Sequence, residues 1–516
     1  MLGALFATNL YRAATQSIVH DEALTWQLYL SGPASTIFQY YDPNHHFLAT
    51  ILFRISTTLF GDSAFAMRLP TLLAGAWFFW TVFQLCGLVF GDGWLFLLGC
   101  AALTLNPILL DFLVAARGYG LAMAGLFWAL FQMLAWFDEE RFNEEAFSDR
   151  SHGGASEAQL RHRLWKAALG CAIAVAANLT LLMPVFVLAA AFCVLILRAR
   201  EKPSSGSAPA SVSPSKTRKK KRKPEAAREP TRSHAPLMYF VVPVIALALV
   251  YLLAAPIDLA RSQDFYVGTP TASKSLRNIM DVSFAYGNSP GALRRLERVW
   301  SNIALIFLPL MSLAALTMVS ITGRVRSTAA LATWLASLAV VGSAILLAGA
   351  HVTSGLPYPI DRTGIYFVPL ATLAALGLVR MLTERPGLPR WIGGAAAVML
   401  VSFALEFAAQ WNINSFLVWR YDADTKRIFE ALEAAPKPAG PIRLGVSWTL
   451  EPALNYYREV RKASWLTPVE RDGFDGPRQF YAAVPEDQST ALWSKLKQIY
   501  KGPVSGTALA IPQAGQ

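Results

Sequence analysis

The stretch Val19-His20-Asp21-Glu22-Ala23 places two adjacent carboxylates directly after the first apolar segment of the chain. Where such a segment meets water, partial desolvation raises the pKa of a carboxylate toward neutrality and suits it to general-base catalysis. Two acids are also typical of a helix start, and residues 23–30 predict an amphipathic helix. Asp21 and Glu22 are therefore the first candidate catalytic residues, and helix capping is the alternative.

The composition defines the class of protein. Hydrophobic residues make up 54% of the 516 residues and charged residues only 16%, against roughly 25% in soluble domains. The basic residues behind the net charge of +12 concentrate in loops between apolar segments, as the positive-inside rule predicts, so no nucleic-acid partner is expected. Four cysteines inside apolar segments predict small buried side chains and no metal site. They are Cys86, Cys100, Cys171 and Cys193.

The apolar segments predict an all-α polytopic membrane protein. About 20 mainly apolar residues are needed to span a bilayer, and residues 2–19, interrupted by Asn9, Arg12 and Gln16, meet this requirement poorly. The other predicted spans are residues 66–90, 93–112, 118–137, 164–180, 182–198, 236–255, 300–320, 329–350, 365–382 and 391–409. Together with the first segment they give about eleven transmembrane helices.

The loops indicate how the membrane domain, residues 1–410, is oriented. Residues 20–64 predict a first outer loop with interfacial helices. Residues 199–235 carry Lys219-Lys220-Lys221-Arg222-Lys223 and predict a disordered cytoplasmic loop. With that loop inside, the outer loop 257–299 and the C-terminus lie outside. The basic residues of loop 257–299 would attract an anionic substrate or lie against lipid headgroups.

The tail, residues 411–516, is soluble in composition and predicts a small extracytoplasmic α/β domain. Its sequence predicts strands at residues 442–446 and 479–484. It predicts helices at residues 450–460 and 490–501. We recognise no catalytic motif in this domain.

Two histidines on the predicted outer face are further candidates. Asn44-His45-His46 comes about twenty residues before Met67-Arg68-Leu69-Pro70, at the start of a span. Adjacent histidines point in different directions, so a two-histidine metal site is not expected. One of them would reach a phosphate or a sugar hydroxyl, or both would hold interfacial positions.

Two arginines at the ends of spans predict an anion site. Asp111 precedes Ala115-Ala116-Arg117-Gly118-Tyr119-Gly120, and Asp361-Arg362 precedes a later span. An arginine at the membrane boundary is costly unless it is paired, functional or able to snorkel. Because guanidinium groups suit phosphate oxygens, Arg117 and Arg362 could clamp one phosphate. Alternatively, Asp361 and Arg362 are ordinary loop charges.

Together these motifs resemble the GT-C superfamily of membrane glycosyltransferases, in particular the branch of the dolichyl-phosphate-mannose protein mannosyltransferases and the bacterial aminoarabinose transferase of lipid A. The resemblance covers residues 18–380 and rests on the order, spacing and common sidedness of the motifs. Those motifs are Asp21-Glu22, Asn44-His45-His46, Phe60-Gly61-Asp62-Ser63, Met67-Arg68-Leu69-Pro70, Ala116-Arg117-Gly118-Tyr119 and Asp361-Arg362-Thr363-Gly364-Ile365-Tyr366-Phe367-Val368-Pro369. The sequence departs from the pattern where it lacks His-Pro-Pro near His45 and has Thr363 in place of a frequent tyrosine.

The resemblance implies an inverting transfer of one sugar from a polyprenyl phosphate to a hydroxyl of a lipid, polysaccharide or protein. The reaction would take place on the extracytoplasmic side of a bacterial inner membrane. Asp21, with Glu22 beside it, would activate the acceptor, and Arg117 and Arg362 would hold the lipid phosphate. The expected substrate-binding residues are His45, His46, Asp111, Tyr119 and Asp361. No cofactor is required, although the acidic groups could hold a divalent cation.

Two other classes of function stay open. A secondary transporter or lipid flippase would use Asp21, Asp111 and Arg117 as charges along a translocation path. Transporters usually show internal repeats and charges near mid-membrane, whereas these charges cluster at the outer boundary. A non-catalytic scaffold would instead bind a cell-envelope partner through residues 412–516.

Overall fold

The computed structural model describes most of the chain. The described residues are 1–39, 45–149, 156–201, 267–287, 291, 293–322, 325, 327–384, 390–438, 440–471 and 473–513. The predicted span 236–255, the cluster Lys219–Lys223 and Asn44 lie outside them.

The membrane domain is helical. Its helices are α1 (Leu2–Thr15), α2 (His20–Thr25), α3 (Thr36–Gln39), α4 (Phe47–Phe60), α5 (Ala64–Phe90), α6 (Trp94–Thr104), α7 (Pro107–Phe112), α8 (Gly118–Asp149), α9 (Glu157–Ala177), α10 (Leu182–Glu201), α11 (Ala272–Phe284), α12 (Leu293–Thr322), α13 (Thr328–Ser354), α14 (Phe367–Glu384) and α15 (Arg390–Ala409). Within the described residues, seven helices are long and apolar enough to cross a membrane, namely α5, α8, α10, α12, α13, α14 and α15. The chain is therefore a multi-pass membrane protein, as its composition predicted.

One predicted span is not continuous. The chain leaves the helical path after α6 and starts α7 at Pro107, a residue that is favoured at the first helical position. The side chain of Asn106 caps α7 by accepting a hydrogen bond from the backbone N–H of Leu109 at 3.4 Å. The prediction of a single helix over residues 93–112 was therefore wrong, because Asn-Pro forms a cap and a new start. α1, with 14 residues, is also too short to span alone.

Close helix packing forms the core of the membrane domain. α8 and α9 cross where Gly125 faces Gly170, and a Cβ atom on either glycine would lie 2.8 Å from the carbonyl oxygen of the other. Small residues at such a crossing let two backbones approach closely in a bilayer. Among the spans from α12 to α15, α14 is the most enclosed, with 83% of an 18-residue apolar stretch buried. These central helices provide the rigid frame from which the loops of the site extend.

The tail folds around a four-stranded sheet. Its elements are α16 (Thr425–Ala434), β1 (Leu444–Val446), α17 (Glu451–Val460), β2 (Phe480–Ala483), β3 (Leu496–Lys501) and β4 (Ala508–Pro512). The strand order is β1-β2-β4-β3. β1 runs parallel to β2, with Leu444 opposite Phe480, and β4 runs antiparallel to both of its neighbours.

The predicted α/β composition of the tail is confirmed, but one of its helices was wrong. Residues 496–501, assigned to a helix over 490–501, form the edge strand β3, which pairs with β4 from Leu496 to Lys501. Pairing with a neighbouring strand overrides the weak local preference of this short segment.

The tail covers the start of the first loop. The backbone N–H of Ile18 donates to the Tyr457 hydroxyl at 2.9 Å, and that of His20 donates to Asp422 Oδ2 at 2.7 Å. The rings of Trp26 and Tyr456 meet edge to face at 5.3 Å. α2 is accordingly buried between the membrane domain and the sheet domain.

A buried ion pair fixes α2 in this position. Glu22 accepts two hydrogen bonds from the guanidinium of Arg68 in α5, at 2.8 and 2.6 Å. A third comes from the backbone N–H of Ala116 at 2.7 Å. Arg68 also donates to the carbonyls of Gln16 at 2.9 Å and Ser17 at 2.7 Å. One pair of side chains thus joins the end of α1, α2, α5 and the loop before α8.

We expect Arg68→Ala to destabilise the protein by about 3–5 kcal/mol, because it leaves the Glu22 carboxylate buried without its cation. Thermal unfolding in detergent, followed by intrinsic fluorescence, measures the change. Arg458→Ala, which removes an arginine paired with Glu459 near the surface, is the control and should change stability by less than about 1 kcal/mol. Equal effects of the two variants would contradict the role assigned to Arg68.

Candidate active site

Asp21 lies at the centre of a buried cluster of charges. Its side chain is only 9% exposed. Arg362 Nη2 lies 3.2 Å from Asp21 Oδ2, and Arg117 Nη2 lies 3.6 Å from the same oxygen. Arg117 also donates to the Thr25 hydroxyl at 3.3 Å. Two arginines 245 positions apart in the sequence therefore converge on one carboxylate.

The loop between α7 and α8 positions Arg117. This loop is anchored by the bond between the Ala116 N–H and Glu22. The next residue, Gly118, begins α8 in a space with no room for a side chain, since a Cβ atom there would lie 2.7 Å from the Cβ of His46 and would overlap the carbonyl of Ala177. The absence of a side chain at Gly118 therefore lets the Arg117 backbone approach the site closely.

A strained turn before α14 positions Arg362. Asp361 has a φ of 52°, which is uncommon for a residue other than glycine. Its backbone N–H donates to the side-chain oxygen of Asn278 in α11. The Thr363 hydroxyl accepts from the backbone N–H of Ile360 at 2.9 Å. Such conformations persist where surrounding contacts enforce them, and they cluster at functional sites.

The electrostatics of Asp21 correct one expectation. Burial raises the pKa of Asp21, but the guanidinium groups of Arg117 and Arg362, with smaller contributions from His20 and the Trp419 indole, lower it by more. The pKa therefore lies below its ordinary value, and desolvation does not bring it toward neutrality as the sequence suggested. In this arrangement Asp21 is an ionised partner of two arginines and a weak base.

The structure brings His46 and Tyr119 to this cluster and turns His45 elsewhere. The rings of His46 and Tyr119 meet edge to face at 5.0 Å. Burial, followed by the charge of Arg117, lowers the pKa of His46 well below its ordinary value, so its ring is neutral. His45 instead stacks on Tyr29 at 4.3 Å, where burial lowers its pKa to about 4. The two histidines face different neighbours, as expected for adjacent residues.

Asp111 and Glu22 have other partners. Asp111 pairs with Arg12, and its carboxylate accepts from the Tyr286 hydroxyl and from the Leu417 N–H. Glu22 directs both oxygens at Arg68 and Ala116. The prediction of Glu22 as a catalytic residue does not fit this geometry, because its acceptor positions are already occupied, and we regard it as a positioning residue. Substrate binding by Asp111 stays a prediction.

Sequence reasoning missed the contribution of the segment after the last span. The Arg362 guanidinium carbon lies 6.0 Å from the ring centroid of Trp419, close enough for a cation–π contact. Trp419 itself is 2% exposed. The run Trp419-Arg420-Tyr421-Asp422, aromatic and charged just after an apolar span, was the available signal. Because it had been assigned to a separate soluble tail, it was not linked to the motifs of the membrane domain.

Within the part of the chain that the structure describes, no metal-binding group marks this site. Among the residues that the structure describes, no three His, Cys, Asp or Glu side chains are grouped to hold a metal ion. A cavity of about 310 Å³ lies instead near Asp138, Glu139 and Arg163, toward the opposite ends of α5 and α8. It contains none of the predicted site residues, so we base the site on the convergence of charges at Asp21.

Comparison with known proteins gives only structural likenesses. No family model matches the sequence, and the search of curated proteins gives no match. The chain is similar to the crystal structures of ArnT from Cupriavidus metallidurans bound to undecaprenyl phosphate and in the apo state, at 13% identity and TM-scores of 0.40 and 0.41. These likenesses cover 99% and 98% of this chain and 97% and 96% of the ArnT chains.

A third likeness is to the archaeal oligosaccharyltransferase AglB from Archaeoglobus fulgidus, in complex with an inhibitory peptide and a dolichol-phosphate. It has 12% identity and a TM-score of 0.40, and covers 100% of this chain and 74% of AglB. Because identities and TM-scores are low, the likenesses assign neither activity nor substrate to this chain.

We expect Gly118→Ala to destabilise the protein by about 1–3 kcal/mol, because the new methyl group overlaps Ala177 and His46 and forces the Arg117 loop to move. Gly87→Ala is the matched control, since Gly87 lies in helix α5 with open space at its Cβ position. That change should be neutral or stabilising by up to about 1 kcal/mol. Thermal unfolding of both variants measures the two changes in stability. A Gly118→Ala protein as stable as the wild type would refute the close packing.

Proposed function

We propose that the chain is a membrane glycosyltransferase. It moves one sugar from a polyprenyl-phosphate donor to a hydroxyl of a lipid, glycan or protein, with inversion at the anomeric carbon. We further propose that the site faces the extracytoplasmic side of a bacterial inner membrane, since the positive-inside rule places the basic loop 199–235 in the cytoplasm.

One observation carries the proposal, namely the convergence of Arg117 and Arg362 on Asp21. Two guanidinium groups at one point can bind several oxygens of a single phosphate and stabilise charge that develops on it. A carboxylate beside them can take up the proton of an acceptor hydroxyl. A general base and an anion clamp are the two elements that displacement of a phosphate from an anomeric carbon requires.

The proposed reaction proceeds by a single displacement. Arg117 and Arg362 hold the donor phosphate while the acceptor oxygen attacks the anomeric carbon from the opposite side. The acceptor proton passes to Asp21, the new C–O bond forms, and the anomeric C–O bond breaks with its electron pair on the phosphate oxygen. Polyprenyl phosphate leaves, and the two arginines stabilise its charge. Glu22 and Arg68 keep Asp21 and Arg117 in place, and Tyr119 and His46 border the arginines.

Purified protein in nanodiscs, supplied with a panel of polyprenyl-phosphate sugars and envelope extract as acceptor, tests the reaction. Mass spectrometry follows the release of free polyprenyl phosphate. The wild type should release it from at least one donor, and Asp21→Asn should slow release by about 10²–10⁴-fold, the range for a lost general base. Full activity of a folded Asp21→Asn protein would rule out Asp21 as the base.

Arginine variants test the phosphate clamp in the same assay. Arg117→Ala and Arg362→Ala should each weaken donor binding roughly 10- to 100-fold, because each removes charged hydrogen bonds to the phosphate. Arg443→Ala, which removes an arginine that is 54% exposed on the sheet domain, should leave donor binding unchanged. If neither site variant alters donor affinity, the clamp has been assigned to the wrong residues.

A further inference from the structure

The clamp for the phosphate is already occupied by an anion of the protein itself. Both arginines have an Nη2 atom close to the same oxygen of Asp21, at 3.2 and 3.6 Å. Within the described residues, Arg362 has one further carboxylate partner, Asp361, at 3.8 Å. The nitrogens that would bind a phosphate therefore face the carboxylate that would act as the base.

This arrangement is incompatible with the displacement itself. The base must approach the acceptor on one side of the anomeric carbon, and the phosphate must leave on the other. A carboxylate in contact with both arginines leaves no room for a sugar between the base and the phosphate. One of the two anions must therefore give up its position on the arginines before the reaction takes place.

We infer that the lipid phosphate and the Asp21 carboxylate compete for the Arg117–Arg362 pair, so that donor binding frees the base and return of the carboxylate expels the product. The inference rests on the proposed function and adds to it the regulation of the same site. It requires only that the Asp21 side chain rotate, since the neighbouring Glu22 holds the backbone of α2 in place through Arg68 and Ala116.

The charge of Asp21 differs between donor binding and product release. Once Asp21 has left the arginines, it loses the two cations that keep it ionised, and it becomes a better proton acceptor. After transfer it carries the acceptor proton and no longer competes, so the product phosphate stays bound. Release of that proton to the solvent restores the carboxylate, which pairs again with the arginines and displaces the lipid phosphate.

Other ionisable groups close to Asp21 also contribute to the net charge around the two arginines. They are His20 beside it in α2, Tyr119 in α8, Asp361 in the turn before α14, and Tyr421 and Asp422 after the last span. Among these, Asp361 is the second anion close to Arg362. Its removal should act in the same direction as removal of Asp21, but more weakly, because it lies farther from the guanidinium.

The inference predicts that Asp21→Asn binds undecaprenyl phosphate more tightly than the wild type, although it removes the proposed base. We expect affinity to rise at least about fivefold, the lower end of typical coupling between two ligands. Binding is measured by native mass spectrometry in nanodiscs of neutral lipid at pH 7.5. Asp361→Asn should give a smaller increase in affinity, and asparagine tolerates the positive φ at this position. Asp475 is an exposed aspartate of the sheet domain, and Asp475→Asn should not change the affinity.

A second readout covers the case in which Asp21→Asn is unstable, since it leaves two buried arginines with fewer anions. Undecaprenyl phosphate should then raise the Tm of Asp21→Asn by more than it raises the Tm of the wild type, because binding supplies the missing charge. Equal or smaller shifts, together with equal or weaker binding, would overturn the inference. Inorganic phosphate in place of the lipid should show the same order of variants if the headgroup alone competes.

The outcomes separate this inference from the proposed function. If the wild type turns over a donor but Asp21→Asn binds undecaprenyl phosphate no better, the competition is refuted and the transferase stands. If Asp21→Asn binds more tightly but the wild type releases no polyprenyl phosphate from any donor, the competition is supported and the transferase is refuted.

Discussion

The bidentate ion pair between Glu22 and Arg68 is the interaction on which the site depends. It is buried, so each charge would be very costly alone, and each is stabilised by the other and by backbone groups. Through it the end of α1, the short helix α2, the long helix α5 and the loop that carries Arg117 are joined at one point. A six-residue helix has little stability of its own. This pair therefore acts together with the contact between the His20 N–H and Asp422 to hold Asp21 beside the two arginines.

The ion pairs of Asp21 have two opposing effects on the site. Asp21 stabilises the ligand-free protein because its negative charge partly offsets the positive charges of the buried Arg117 and Arg362. The same pairing keeps the pKa of Asp21 low and makes it a poor base. Stability of the free protein and reactivity of the site therefore oppose each other, as is common where a site is held ready for a charged ligand. The strained φ of Asp361 is a second feature of the site that costs stability in the free protein.

The sequence predicted the class of fold and several residues that the structure brings together in the candidate site. Low charge content, long apolar segments and basic loops were enough for a multi-pass helical protein. Boundary charges such as Arg117 and Arg362 could be recognised because an arginine beside a membrane span needs a partner. Asp21 was recognised because it is one of two adjacent carboxylates that follow the first apolar segment, and the structure places it beside both arginines.

Other features depend on tertiary contacts that the sequence does not display. Nothing local distinguishes Asp21 from Glu22, yet one meets two arginines of the site and the other a structural arginine. The burial that was expected to raise the pKa of Asp21 is outweighed by cations from distant parts of the chain. Trp419 was overlooked because the tail was treated as a separate unit, and the strand at residues 496–501 forms only through pairing with β4.

A structure determined by cryo-electron microscopy in nanodiscs with undecaprenyl phosphate tests the central claim most directly. The account predicts density for the lipid phosphate within hydrogen-bond distance of both Arg117 and Arg362, with the Asp21 carboxylate turned away from them. The contacts between Glu22 and Arg68 should be unchanged. A lipid phosphate bound elsewhere, with both ion pairs of Asp21 intact, would contradict the assignment of this cluster as the donor site.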